Sequence, residues 1–173
     1  MEIRLAKASD LDAVAAIYDA VLQQEERGIC YTNWQKGLYP RRETAERGWR
    51  DGTLFVLEEA GQICASMVLN QVQPKEYGTI EWVYPAAPQE VFVIHTLCVH
   101  PAQTKKGYAK AMVVFAEEQA RKQKGRVMRL DTYVGNQPAV ALYRHLGYRL
   151  AGSTDFLFEG VIPEELYCLE KRL

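Results

Sequence analysis

Residues 91–109 read Val91-Phe92-Val93-Ile94-His95-Thr96-Leu97-Cys98-Val99-His100-Pro101-Ala102-Gln103-Thr104-Lys105-Lys106-Gly107-Tyr108-Ala109. Val91 to Val99 is nearly all apolar on both faces, which predicts a strand covered on both sides of a sheet. His100-Pro101 ends it, because proline cannot donate to a ladder. A short loop, Ala102 to Lys106, leads to Gly107, where a long helix is expected to begin. Its predicted buried stripe is Ala109, Met112, Val113, Ala116 and Ala120, with Lys110, Glu117, Arg121 and Lys122 toward water. The free amides and positive dipole end of such a helix form an anion site. Gly107 allows close approach to the backbone, and Lys105 and Lys106 add local positive charge. A Walker-type loop is excluded, since it needs glycine at Ala102 and lysine at Tyr108. A dinucleotide fingerprint is excluded as well, because Gly107 is the only glycine in the loop.

Working outward, Gly125 is expected to close the helix, and Val127 to Val134 reads as the next strand. Asn136-Gln137-Pro138 opens a helix over about Ala139 to Leu146, stopped by Gly147. Strands near Tyr148 to Ala151 and Leu166 to Lys171 follow. Upstream, residues 2–7 predict a strand. Leu11, Val14, Ala15, Tyr18, Val21 and Leu22 mark one face of a helix over about 10–26. Residues 28–40 lose periodicity while carrying Tyr31, Trp34 and Tyr39, and Arg42 to Arg50 is helix-compatible. Thr53 to Leu57 and Ile63 to Leu69 form a hairpin across Glu59-Ala60-Gly61-Gln62, and Thr79 to Tyr84 predicts a further strand before the loop at 85–90. The order βααβββ, then βαβαβ and a last strand, is that of one mixed α/β domain spanning residues 1–173.

The chain has 173 residues, 48% hydrophobic, with 21 basic against 22 acidic side chains and a formal net charge of -1. That composition fills a core and excludes wholesale disorder. The balanced charge gives no global attraction to nucleic acid or anionic membrane, so anion recognition is local. No apolar run approaches the roughly 18 residues of a membrane span, and Met1 to Lys7 mixes charges too early for a signal peptide. A soluble cytoplasmic protein is expected, with neither nucleic acid nor membrane as partner. Cys30, Cys64, Cys98 and Cys168 lie singly, and His95, His100 and His145 lack metal-motif spacing, so neither a disulfide framework nor a metal site is expected.

The central stretch resembles the GNAT superfamily of acyl-CoA N-acyltransferases. Its hallmark is a strand ending Leu-x-Val-x-Pro, followed by an Arg/Gln-x-x-Gly-x-Gly/Ala loop opening a helix. Leu97-Cys98-Val99-His100-Pro101 matches the strand, and Gly107-Tyr108-Ala109 the second half of the loop. Thr104 stands where the family has arginine or glutamine, and Lys105 where glycine is common. Gln103 takes the first role if the loop shifts by one residue. A second block follows: Leu130-Asp131-Thr132-Tyr133, then Asn136, Tyr143 and Gly147-Tyr148. Asn136 and Tyr143 are seven residues apart, nearly two helical turns, and so share a side.

The resemblance implies an α/β GNAT fold with a mixed central sheet, flanking helices and a strand pair splayed near Val99 and Thr132 to take acetyl-CoA. It implies pyrophosphate over the main-chain amides of Thr104, Lys105, Lys106, Gly107, Tyr108 and Ala109. The pantetheine arm runs along Leu97, Cys98 and Val99, with an amide near Leu97 facing the thioester oxygen and Asn136 on the far side. Tyr143 assists the departing thiolate. A tyrosine near pKa 10 and a thiol near 8.5 leave complete proton transfer about 2 kcal/mol uphill, so hydrogen-bond donation suffices. A primary amine near pKa 10.4 is neutral only about one part in a thousand around pH 7.4, which calls for a base, acting directly or through water. His95, two residues before Leu97, and Glu81, on the predicted preceding strand, are the candidates.

The expected reaction is acetyl transfer to a small-molecule or peptide amine, by a monomer or homodimer. A non-catalytic acyl-CoA sensor, or an interaction module on the same fold, is the alternative. Tyr31, Trp34, Tyr39, Trp82 and Tyr84 are candidates for an aromatic acceptor wall, and Glu25 and Glu26 for attraction of a cationic amine.

Overall fold

A computed structural model describes residues 1–158 and 160–173. In it the apolar run at 91–99 is the fourth strand of a seven-stranded mixed sheet. The strands are β1 (Glu2–Leu5), β2 (Leu54–Glu59), β3 (Gln62–Asn70), β4 (Val91–Val99), β5 (Val127–Tyr133), β6 (Arg149–Phe158) and β7 (Ile162–Arg172). The helices are α1 (Leu11–Glu26), α2 (Arg42–Arg50), α3 (Tyr108–Lys122) and α4 (Gln137–His145). Sheet order is β1-β2-β3-β4-β5-β7-β6; only the central pair β4–β5 is parallel, joined by a crossover through α3.

The periodicities explain the layers. Leu11, Val14, Ile17 and Tyr18 of α1 are buried against one face of the sheet, with Leu54, Val56 and Cys98. Met112, Val113, Ala116 and Ala120 of α3 are buried against the other, with Met67, Phe92, Met128 and Leu130. β4 is sandwiched between these layers, which accounts for its apolar residues on both faces. Glu117 departs from expectation: it is buried on α3, where Lys171 donates to both its carboxylate oxygens at 2.8 and 2.7 Å. After α3 it is Lys124, not Gly125, that takes the left-handed conformation (φ +64°). Gly125 is instead small because a Cβ there would meet the Phe92 ring at 2.7 Å.

The strand predicted at Thr79 to Tyr84 does not form. Its amides are diverted: Val83 and Tyr84 donate to the Glu170 carboxylate at 2.7 and 3.4 Å, and Trp82 to Ile80 O at 3.0 Å. Glu170 is fully buried on β7, so a side chain does the work of a ladder there. The C-terminal hairpin, in contrast, is longer than the short strands expected, pairing without interruption from Gly152↔Cys168 to Phe158↔Ile162.

Candidate active site

Two local features open the sheet at its centre. The β4–β5 ladder starts at Val91↔Val127 and ends at Ile94↔Leu130, although β4 runs on to Val99 and β5 to Tyr133. Beyond Ile94 the β5-facing edge of β4 therefore has no strand partner. On the other edge, β4 pairs Val68↔His95 and then Ser66↔Cys98, a bulge in which Thr96 adopts φ +49°. Such a bulge bends a strand and re-aims its side chains. Ile94, His95, Thr96 and Leu97 consequently all line one cleft, where a regular strand would present alternate residues only.

The cleft holds about 340 Å³ and lies in the splay between β4 and β5. Asp131, Thr132 and Tyr133 of β5 line its opposite wall, followed by Asn136, Ala139 and Tyr143. Asn136 caps α4: its Oδ1 accepts from Ala139 N at 3.2 Å, so the cap does not use its amide nitrogen. Tyr143 lies nearly two turns further on and packs its ring against Tyr148, centroids 5.8 Å apart. Burial pushes the Tyr143 phenol up, with the Asp131 charge adding to it. Complete proton transfer from Tyr143 is thus further uphill than for a free phenol, and its hydroxyl is suited to donating a hydrogen bond.

Downstream of β4, His100 Nδ1 accepts from Ala102 N at 3.1 Å, and the Thr104 hydroxyl donates to Pro101 O at 3.0 Å. Lys105 (φ +64°) and Gly107 (φ +82°) are both left-handed, curling the loop onto the start of α3. The first bond of the helix runs from Ala111 N to Gly107 O at 2.9 Å, so the amides of Tyr108, Ala109 and Lys110 have no partner within it. Nothing stands within 4 Å of a Cβ placed on Gly107. Lys105 and Gly107 are exposed, and so is Lys106, whose Nζ donates to Gln103 Oε1 at 2.6 Å. Tyr108 turns its ring into the core, leaving its main chain for a ligand. An open cradle of amides and an unpartnered strand edge suit the pyrophosphate and amide-bearing arm of acetyl-CoA.

Other predicted residues distribute unevenly. Leu97 lines the cleft, but the Cys98 side chain is buried against α1 and Val99 packs on the α3 side. His95 lines the cleft with Nε2 3.0 Å from Asn70 Oδ1, and burial pushes its imidazole down to about 4. Glu81 is exposed, sits on no strand and does not line the cleft. Of the aromatic candidates, Trp34 and Tyr39 line the cleft, the latter with its hydroxyl bonded to Thr96. Trp82 instead lies under the Arg129 guanidinium at 4.0 Å, and Tyr31 and Tyr84 are outside the cleft. Glu25 is spent on its own loop, accepting from Tyr31 N and Thr32 N at 2.9 Å, and Glu26 faces Lys36 in an exposed pair.

The hairpin and the segment after β3 bring in residues that sequence reasoning missed: Glu76, Phe156, Phe158 and Glu164. Asp131 accepts from the Tyr77 hydroxyl at 2.8 Å, and burial raises its carboxyl to about 6. Glu164 is only 5% exposed, and its Oε1 has no hydrogen-bond partner among the described residues. Burial, with the charge of Asp131 adding, pushes this carboxyl up to about 7. The signal was faint: Glu164 sits in an alternating strand where a charge ordinarily faces water.

The model of the acetyltransferase (GNAT) family matches residues 17–148, and the chain belongs to that family, making it an acetyl-CoA-dependent N-acetyltransferase. Among solved structures it is similar to a ribosomal-protein-alanine N-acetyltransferase from Brucella melitensis, at 23% identity over 100% of both chains with a TM-score of 0.73. A GNAT-family acetyltransferase from Streptococcus agalactiae superposes with a TM-score of 0.83 at 16% identity, covering 99% of this chain and 95% of that one. The yncA structure from Salmonella typhimurium, solved with its cofactor acetyl-CoA, aligns over 100% of this chain and 94% of its own, at 17% identity and a TM-score of 0.73. No curated protein sequence matches the chain. No helix among the described residues is long and apolar enough to cross a membrane.

Proposed function

We propose that the protein transfers the acetyl group of acetyl-CoA directly to a primary amine, on a small molecule or peptide, within the cleft between β4 and β5. The observation that carries this reading is the end of the β4–β5 ladder at Ile94↔Leu130, which frees the β4 edge beside Asn136 and Tyr143. Acetyl-CoA supplies the activated acyl group. The amides from Lys105 to Ala109 hold its pyrophosphate, and the free edge of Leu97 to Val99 holds its pantetheine arm as an added strand would be held. The amide nitrogen of Asn136 steadies that arm from the α4 side. The main chain near Leu97 donates to the thioester oxygen as negative charge grows there. Tyr143 donates to the sulfur as the carbon–sulfur bond breaks.

His95 keeps the cleft polar without becoming charged, because its lowered pKa makes it a weak acceptor for an ammonium proton near pH 7. Three of the four cysteines are buried as free thiols, which supports a reducing, cytoplasmic setting. Thiol release from acetyl-CoA against a panel of amines tests the reading, together with calorimetry of acetyl-CoA and of ATP. Acetyl-CoA is expected to bind more tightly than ATP, and at least one amine to accelerate thiol release. Equal or tighter binding of ATP sinks the assignment of the loop.

A further inference from the structure

Every charged side chain lining the cleft among the described residues is acidic: Glu76, Asp131 and Glu164. Neither lysine nor arginine is among them, and His95 is held neutral by burial. A free α-amino acid brings a carboxylate that finds no counter-ion here, and burying an unpaired anion beside others is costly. Trp34, Tyr133, Phe156 and Phe158 line the same cleft, and aromatic ring faces favour a cation over an anion.

Within this set Glu164 is distinctive. The Tyr77 hydroxyl already satisfies one oxygen of Asp131, and Glu76 is one-fifth exposed. Glu164 is nine-tenths buried, yet Oε1 makes no hydrogen bond among the described residues. An orphaned buried carboxylate oxygen costs free energy unless a donor arrives to meet it. The titratable groups around it are Asp131 on β5, Glu25 at the end of α1, Glu76 after β3 and the neutral His95 on β4; the Asn33 side chain alone eases its ionisation.

We propose that Glu164 is the seat of the acceptor amine and takes its proton, and that the acceptor is a small apolar or aromatic amine bearing no acidic group. This rests on the acetyl-transfer reading above. The acceptor enters as an ammonium ion and gives one N–H proton to Glu164 Oε1. The freed nitrogen lone pair forms the bond to the acetyl carbon, and the carbon–sulfur bond breaks with its electron pair left on sulfur. The second amine proton passes to solvent water as the amide forms, and the thiolate, steadied by Tyr143, takes up a proton from water. Glu164, the catalytic base, then returns its own proton to solvent.

The test uses the whole chain with acetyl-CoA and four acceptors: phenethylamine, butylamine, phenylalanine and glutamate. Thiol release gives turnover, and calorimetry into the coenzyme A-loaded protein gives affinity. Phenethylamine, or butylamine, is expected to exceed both acids at least about 10-fold in kcat/KM and in affinity. Glu164→Gln is expected to lower kcat/KM for the preferred amine about 100-fold or more and to remove its rise with pH near 7, the acetyl-CoA affinity staying within about twofold. Either acid matching the amines, both amines failing to bind, or Glu164→Gln turning over like the parent overturns the proposal. If acetyl-CoA does not bind while phenethylamine binds in a Glu164-dependent way, the transfer reading falls and the cation seat stands.

Discussion

Tyr143 combines a nearly closed environment with a hydroxyl on the wall of the cleft. Its phenol is pushed above its ordinary value, so a mechanism that deprotonates it fully works against burial, whereas one that borrows its hydrogen bond does not. Tyr143→Phe should leave acetyl-CoA affinity almost unchanged, since one edge hydroxyl adds little to a ligand held by many main-chain contacts. Turnover should fall about 10- to 1000-fold, the loss of one transition-state hydrogen bond worth about 1.4 to 4 kcal/mol. The fall should be smaller with donors whose thiol is more acidic. Single-turnover measurement checks this, and a chemical step at the parent rate in Tyr143→Phe makes Tyr143 a packing residue.

At the scale of elements, the β4-to-α3 junction is where sequence and structure agree most closely. Its signals are local: an apolar run, a proline stop, a glycine before a helix. Gly107 adds what its type alone did not show, a φ of +82°. A side chain there points into open space and meets only a ligand, but it also strains the turn. Gly107→Ala is therefore expected to weaken acetyl-CoA binding about 10-fold by calorimetry and to lower stability by about 1 kcal/mol or more in denaturant unfolding. An unchanged affinity removes the loop from the binding site.

Less local elements were illegible for identifiable reasons. Residues 79–84 have strand-like composition, but the carboxylate that takes their amides lies at position 170, far along the chain. The bulge at Thr96 follows from pairing with β3, and no residue near it announces the change of register. His95 and Glu81 looked equivalent as bases because both fell in predicted strands near the site. Only one of those strands exists. Asn136 and Tyr143 were legible because seven residues along one short helix fix their relation without tertiary information.

Across the molecule, the acidic cleft should leave its mark on stability as well as rate. Glu164 has an ordinary value of 4.5 and is raised to about 7 in the fold; Asp131 goes from 3.8 to about 6. A carboxyl raised by folding holds its proton more tightly in the native state than in the unfolded chain. It costs nothing below the unfolded value, and the cost grows as pH climbs to the folded one. For Glu164 the cost is complete above about pH 7, at about 3 kcal/mol. His95, lowered from 6.5 to about 4, has the opposite sign and destabilises as pH falls through that window. The parent curve thus mixes opposing contributions, and a substitution separates them. Glu164→Gln cannot ionise, so it should melt about 6–12 °C higher than the parent near pH 8, for a gain of about 3 kcal/mol. Near pH 4, where both states of the parent keep Glu164 protonated, the two proteins should melt together. Thermal unfolding at both pH values decides the matter. A difference that does not change with pH means that Glu164 carries no such strain, whereas a gain confined to the alkaline side, bought at the expense of turnover, is what a carboxylate kept destabilised for function produces.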